Sequence, residues 1–193
     1  MIRTFVGIGV PDQIASTLEA AQAGLDFGRI VPAENFHLTL AFIGEQPDRA
    51  IEDLHYELDR ITADTLELTL QGLGVFGGEA PRVLFAEIQP NAALKDLRDK
   101  VRIAAREANL ELEHRRFHPH ITLARFGKGL HPEQAGALQT LISKRMRLVR
   151  GTFPVTEFAL YESVLGQEAP VYDVIASYEL NAPASAVGTI PGR

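Results

Sequence analysis

The chain is expected to fold as an α+β domain of two related lobes arranged about a pseudo-twofold axis. Three observations carry that expectation. The elements read in the order β-α-β-α-β-β-α-β-α-β-β, so the second half echoes the first. Each half holds one copy of a His-x-Thr-x pattern, His37-Leu38-Thr39-Leu40 and His120-Ile121-Thr122-Leu123, eighty-three residues apart. Each copy lies in a short apolar run of strand length, 36–43 and 117–124, rich in β-branched or aromatic residues.

Residues 3–10 (RTFVGIGV) read as a buried strand closed by Pro11-Asp12. Pro11 suits the first turn of a helix, and Ile14, Leu18, Ala21 and Leu25 follow near helical spacing. The first motif strand comes after the 32–35 punctuation and ends at Gly44 and Pro47-Asp48. Ile51, Leu54, Leu58 and Ile61, with charged residues between them, mark an amphipathic helix. Residues 65–75 alternate Leu66, Leu68 and Leu70 with polar partners, and 82–88 pair with them as a hairpin. Gly72, Gly74, Gly77 and Gly78 read as turn residues, since no Lys-Ser/Thr follows to make a phosphate loop. A long helix from Pro90-Asn91 places Leu94, Leu97, Val101 and Ala105 or Ala108 inward. After the second motif strand come a helix over about 132–143 and two last strands, 151–163 and 172–180, joined through a loop containing Gly166. The expected domain covers 1–181; residues 182–193, without periodic pattern, read as a flexible tail.

Composition removes several function classes. The chain has 193 residues and no cysteine, so disulfides, thiolate nucleophiles, Cys-ligated zinc and iron–sulfur clusters are ruled out. A net charge of −6 argues against a general nucleic-acid coat protein while leaving room for a local anion site. No apolar stretch reaches spanning length and no signal-peptide pattern opens the chain, which makes the cytoplasm the expected location. The basic run through Lys144, Arg145, Arg147 and Arg150 reads as a solvated face, with RNA steering as its alternative role.

In a strand, residues i and i+2 share a face. His37 and Thr39 therefore point one way and Leu38 and Leu40 the other, as do His120 and Thr122 against Ile121 and Leu123. If the two strands lie side by side, two imidazoles and two hydroxyls meet in one cleft. One neutral and one protonated imidazole make a base and an acid. Threonine hydroxyls donate to non-bridging phosphate oxygens. That constellation fits in-line displacement at a phosphodiester with no metal or other cofactor. A single motif copy would be an ordinary strand His and Thr; two copies in matching context weigh the other way. His118 nominally shares the face of His120, which with His114 raises a metal site. No Asp or Glu accompanies the motif faces, which weighs against it. His55 and His131 read as surface residues.

At these residues the chain resembles the 2H phosphoesterase superfamily, specifically its RNA 2′,3′-cyclic phosphodiesterase group, also called LigT-like or 2′-5′ RNA ligases. The resemblance rests on Phe36-His37-Leu38-Thr39-Leu40-Ala41-Phe42-Ile43-Gly44-Glu45 and Phe117-His118-Pro119-His120-Ile121-Thr122-Leu123-Ala124-Arg125. The 81–86 strand, Tyr161-Glu162-Ser163 and Val171-Tyr172 add to it. It implies two antiparallel-type sheets flanked by helices around a central cleft, and hydrolysis of RNA 2′,3′-cyclic phosphate ends to 2′-phosphomonoesters. It implies His37 and His120 as the acid/base pair, with His120 activating water and His37 protonating the departing O3′, an order that near-symmetric halves do not themselves impose. It implies Thr39, Thr122 and Arg125 as phosphate contacts, although strict alternation aims Arg125 away from His120 unless the strand ends, twists or bulges. His118 and Tyr172 are further candidate substrate contacts, and Phe76 a candidate for base stacking or, more simply, core packing. Expected partners are RNA ends with a 2′,3′-cyclic phosphate or cyclic nucleotides, and the expected state is a monomer. Joining or cleaving 2′-5′ linkages at the same site, or non-catalytic binding of RNA ends, are the alternative functions.

Overall fold

The computed structural model describes residues 1–114, 116–164 and 170–182. The chain runs β1 (Ile2–Gly9), α1 (Asp12–Gln22), β2 (Arg29–Ile30), a 3-10 turn (Ala33–Asn35), β3 (His37–Gln46), α2 (Asp48–Asp59), β4 (Leu66–Phe76) and β5 (Val83–Ile88). It continues through α3 (Ala92–Glu107), β6 (His120–Arg125), α4 (Pro132–Arg145), β7 (Gly151–Val155), β8 (Glu157–Val164) and β9 (Val171–Glu179). Apart from the small β2, the 3-10 turn and a third strand at the end of the chain, the order is the expected one. Residues 183–193 of the expected tail, and the Gly166 loop, lie outside the described residues.

The strands align as β7-β4-β5-β6-β3-β1-β8-β9, every neighbouring pair antiparallel, with β2 beside β6. The two expected sheets are its two halves, β3-β1-β8-β9 and β6-β5-β4-β7, joined at their middle by one register pair, Leu38 opposite Ile121. These are the second residues of the two motifs. When equivalent residues pair across an antiparallel ladder, the local twofold passes between them. The repeat seen in the sequence is thus centred on the seam of the sheet.

The helices build the other layer. Leu18, Leu54, Leu97 and Leu138, one from each helix, join Leu38, Leu40, Ile121 and Leu123 in a single core. Complete burial of each such side chain contributes on the order of 2 kcal/mol. The first helix of each half reaches across the seam: α1 lies against β6 and α3 against β3. The core thereby claims one face of both motif strands and leaves the other face open.

Two readings need correction. Residues 151–163 form two strands, broken at Thr156: β7 pairs with β4 at one end of the sheet while β8 pairs with β1 in the opposite half. The alternation of buried residues shifts phase at the break, where Thr156 and Glu157 are both exposed, but with a single residue between the strands no turn signal separates them. Gly72 and Gly74 belong to β4 and not to its turn. Gly72 marks an irregularity in the pairing with β5, at φ +131°. At Gly74 an added Cβ would meet the Phe85 ring at 2.6 Å, so the missing side chain is what lets that ring pack.

Candidate active site

On the open face the four motif side chains stand together. His37, Thr39, His120 and Thr122 are half-buried, whereas Leu38 and Ile121 between them are 1% and 0% exposed. The two imidazoles are held alike. The Nδ1–H of His37 donates to the Asn35 carbonyl at 2.8 Å, and that of His120 to the His118 carbonyl at 2.7 Å. A carbonyl only accepts, so each bond places the fixed proton on Nδ1 and leaves Nε2 as the atom that gains and loses a proton.

Each imidazole rests on aromatic rings. His37 lies 4.5 Å from Phe5 (centroid to centroid) and edge-on to Tyr172 at 5.1 Å, while Tyr161 stacks on Phe5 at 4.9 Å and lies 6.3 Å from His37. His120 lies edge-on to Phe76 at 4.9 Å and to Phe85 at 5.3 Å. Phe85 stands opposite the motif threonine Thr122, whereas in the first half Gly7 holds that place and Phe5 comes from two residues earlier on β1; sequence reading singled out neither phenylalanine. Both lie in buried-looking apolar strands, with nothing local to separate an imidazole rest from ordinary core. Phe76 is chiefly such a rest, stacked on Phe85 at 4.2 Å.

Burial lowers the pKa of both histidines. His37 falls to about 4, chiefly through desolvation, opposed by its bond to Asn35 and reinforced by the charges of Arg125 and His120. His120 is lowered for the same leading reason, opposed by its bond to His118 and reinforced by the charges of His118 and Arg125. Both Nε2 atoms are therefore unprotonated at neutral pH.

Arg125 reaches the cleft through a bulge. On β6, Ala124 pairs with Leu84 but Thr122 with Phe85, so Leu123 is the extra residue and alternation resets before Arg125. The same step occurs in β3, where Ala41 pairs with Val6 and Thr39 with Gly7, leaving Leu40 extra and turning Phe42 to the cleft face. The Leu123 carbonyl is secured by the Val31 N–H and by the side-chain amide of Gln22, each at 2.8 Å. Gln22, only 8% exposed, reaches it from α1 and donates also to the Val31 carbonyl. This buried glutamine is a positioning residue that sequence reading missed.

Two cavities flank the seam. One, of about 430 Å³, is lined by His37, Tyr161, Tyr172, Asp12 and Glu34. The other, of about 580 Å³, is lined by Thr39, His118, His120 and Arg125, with Phe42 and further arginines. His118 is exposed at this second cavity; its side chain lies 3.7 Å from Glu87, and its carbonyl does the orienting of His120. Among the described residues no three His, Asp or Glu side chains converge as metal ligands. The basic run lies elsewhere: Arg145 donates to the carbonyls of Ala20 and Ala21 at the end of α1. His55, read as a surface residue, is half-buried and bonded to the Tyr178 hydroxyl at 2.9 Å.

A family model described as the 2′-5′ RNA ligase superfamily matches residues 10–167. The chain belongs to that superfamily. It is 34% identical over 177 residues to an RNA 2′,3′-cyclic phosphodiesterase of Geobacillus stearothermophilus, covering 90% of this chain and 54% of that longer protein. It is 32% identical over 159 residues to an RNA 2′,3′-cyclic phosphodiesterase of Aeropyrum pernix, covering 81% of this chain and 88% of that one. The crystal structure of E. coli LigT complexed with 3′-AMP superposes with a TM-score of 0.75 at 29% identity, over 93% of this chain and 98% of that one. No helix among the described residues is long and apolar enough to cross a membrane.

Proposed function

We propose that this superfamily member hydrolyses RNA 2′,3′-cyclic phosphate ends to 2′-phosphomonoesters, using its two histidines as base and acid and no metal. The observation that carries the reading is the meeting of the two motifs at the Leu38–Ile121 pair, with both Nε2 atoms freed for proton transfer by matching Nδ1 bonds. The relatives named as RNA 2′,3′-cyclic phosphodiesterases support the same reaction.

In the proposed step His120 Nε2 takes a proton from water as its oxygen attacks phosphorus. The P–O3′ bond breaks, and His37 Nε2–H delivers a proton to the departing O3′. Thr39 and Thr122 donate to the non-bridging oxygens, and Arg125 balances their charge. His37 must be protonated to act as the acid, so its pKa of about 4 has to rise as the phosphate binds. An anion beside an imidazolium does that. After release, solvent returns His120 and His37 to their starting states. We take residues 1–181 as one working unit, a cytoplasmic monomer. With a 5′-hydroxyl in place of water as the nucleophile, the same breakage of the P–O3′ bond would leave a 2′-5′ linkage, the joining that the superfamily's name describes.

Turnover of 2′,3′-cyclic nucleotides in excess EDTA, with the product followed by phosphorus NMR, tests the proposal. A 2′-phosphate formed despite chelation is expected. A 3′-phosphate would reverse the leaving group, and activity lost to EDTA and restored by a divalent ion would replace the mechanism.

A further inference from the structure

The two cavities differ sharply in charge. The His37 cavity is lined by two carboxylates, Asp12 and Glu34, and by no lysine or arginine. The His120 cavity is lined by Arg3, Arg98, Arg102, Arg116 and Arg125, against the single carboxylate of Glu113. Five arginines in one cleft stand out on a chain of net charge −6 that holds only 19 lysines and arginines in all.

A single cyclic phosphate does not call for all of them. The four motif groups and Arg125 already surround its position. The other arginines come from separate parts of the chain: Arg3 from β1, Arg98 and Arg102 from α3, and Arg116 from the segment leading into β6. Arg98 and Arg102 sit one turn apart on α3, about 6 Å along its axis, and so share a face. Several are posed by their packing. The Arg98 guanidinium lies 4.6 Å from the Phe117 ring centroid, and that of Arg3 lies 5.0 Å from Phe42. Arg102 donates to the Glu113 carbonyl at 3.3 Å, a bond that leaves its charge unneutralised. Among the described residues the ion pairs include none with Arg3, Arg116 or Arg125. Arginine in this density suits a row of phosphates, because each planar guanidinium binds phosphate oxygens through paired N–H groups.

Building on the hydrolytic reading, in which the substrate is an RNA end, we propose that the arginine cleft holds the phosphates of the strand upstream of the cyclic phosphate. The cyclic phosphate occupies the 3′-terminal nucleotide, so the rest of the strand must leave the motif tetrad on one side. The acidic cavity repels a polyanion and the arginine cavity attracts it. The strand therefore runs from the tetrad past Arg125 toward Arg116 and α3.

The test compares 2′,3′-cyclic AMP with a tetra-adenylate bearing a 2′,3′-cyclic end, using the wild-type chain, Arg102→Gln and Arg116→Gln. At low salt kcat/KM for the tetranucleotide should exceed that for the mononucleotide by about tenfold or more. Its logarithm should also fall more steeply with log salt, by about 0.7 for each added phosphate contact. Each variant should lose about three- to tenfold on the tetranucleotide. The mononucleotide, which does not extend beyond Arg125, should be turned over as before and serves as the internal control. Equal kcat/KM for the two substrates, or equal losses on both, would overturn the proposal. If neither substrate turns over, the hydrolytic reading fails by itself, and fluorescence anisotropy of a labelled tetranucleotide then decides the cleft. Salt-dependent binding weakened by both variants would uphold it, and binding indifferent to both would reject it.

Discussion

The two halves of this molecule match where the chemistry is done and differ around it. Both set an imidazole on a phenylalanine, both fix Nδ1 to a carbonyl two residues earlier, and both bulge at the residue after the motif threonine. After the bulge they part. The first half presents Phe42, 53% exposed, where the second presents Arg125. Around His37 lie Asp12 and Glu34; around His120 lie arginines. A twofold-symmetric tetrad has no means of telling one end of a ligand from the other. Direction in this site comes from its rim.

The most severe way to break the comparison is to remove either imidazole. His37→Ala and His120→Ala should each cost at least about 10²–10⁴-fold in kcat while leaving the circular dichroism spectrum unchanged. Near-normal turnover by one of them would mean the halves are not chemical partners. Next comes the unmatched pair. Arg125→Gln should cost on the order of 10²-fold in kcat/KM through lost stabilisation of phosphate charge. Phe42→Gln should cost less than about tenfold, since it carries no charge toward the phosphate. Equal losses would make the rim as symmetric as the tetrad.

A third variant acts at a distance. Gln22→Leu leaves the Leu123 carbonyl one donor short, so it should lower stability by about 1–3 kcal/mol. It should also reduce kcat/KM by roughly tenfold through misplacement of Arg125. Denaturant titration alongside kinetics checks both. If Gln22→Leu combined with Arg125→Gln loses the product of the two separate factors, Gln22 does not act through Arg125.

The smallest expected effect is on pH dependence. Turnover needs one imidazole protonated and one neutral. His37 sits at about 4 and His120 below its ordinary value, so kcat/KM, which reports the free enzyme, should peak on the acid side of 6.5 and decline as pH rises further. Bound phosphate raises both pKa values, so the kcat profile should lie to the alkaline side of the kcat/KM profile. In Arg125→Gln the loss of a neighbouring cation should move the kcat/KM optimum upward. Coincident profiles, or an optimum unmoved by that substitution, would count against two titrating imidazoles under Arg125.

Much of this was legible in the residues because it is written at short range. Alternation along two strands put His37 with Thr39 and His120 with Thr122, and helical spacing identified Leu54 and Leu58, or Leu94 and Leu97, as core. Gly72 and Gly74 misled because a glycine inside a strand looks locally like a turn residue. Residues 151–163 misled because only Thr156 separates two strands whose pairing partners differ, with no turn residue to mark the change. Arg125 was legible as a candidate but not as a cleft residue, because a bulge depends on which residues the neighbouring strand offers.

The sequence by itself determined the repeated motif, the order of the elements up to α4 and the face on which each motif side chain stands, since all three follow from dihedral periodicity within a few residues. Tertiary structure alone decided the rest. It set Leu38 against Ile121 at the centre of the sheet and drew the Gln22 amide from α1 onto the bulge that turns Arg125. It also gathered arginines from β1, α3 and the approach to β6 around one end of the cleft. Those are contacts across the core, and no spacing along the chain encodes them.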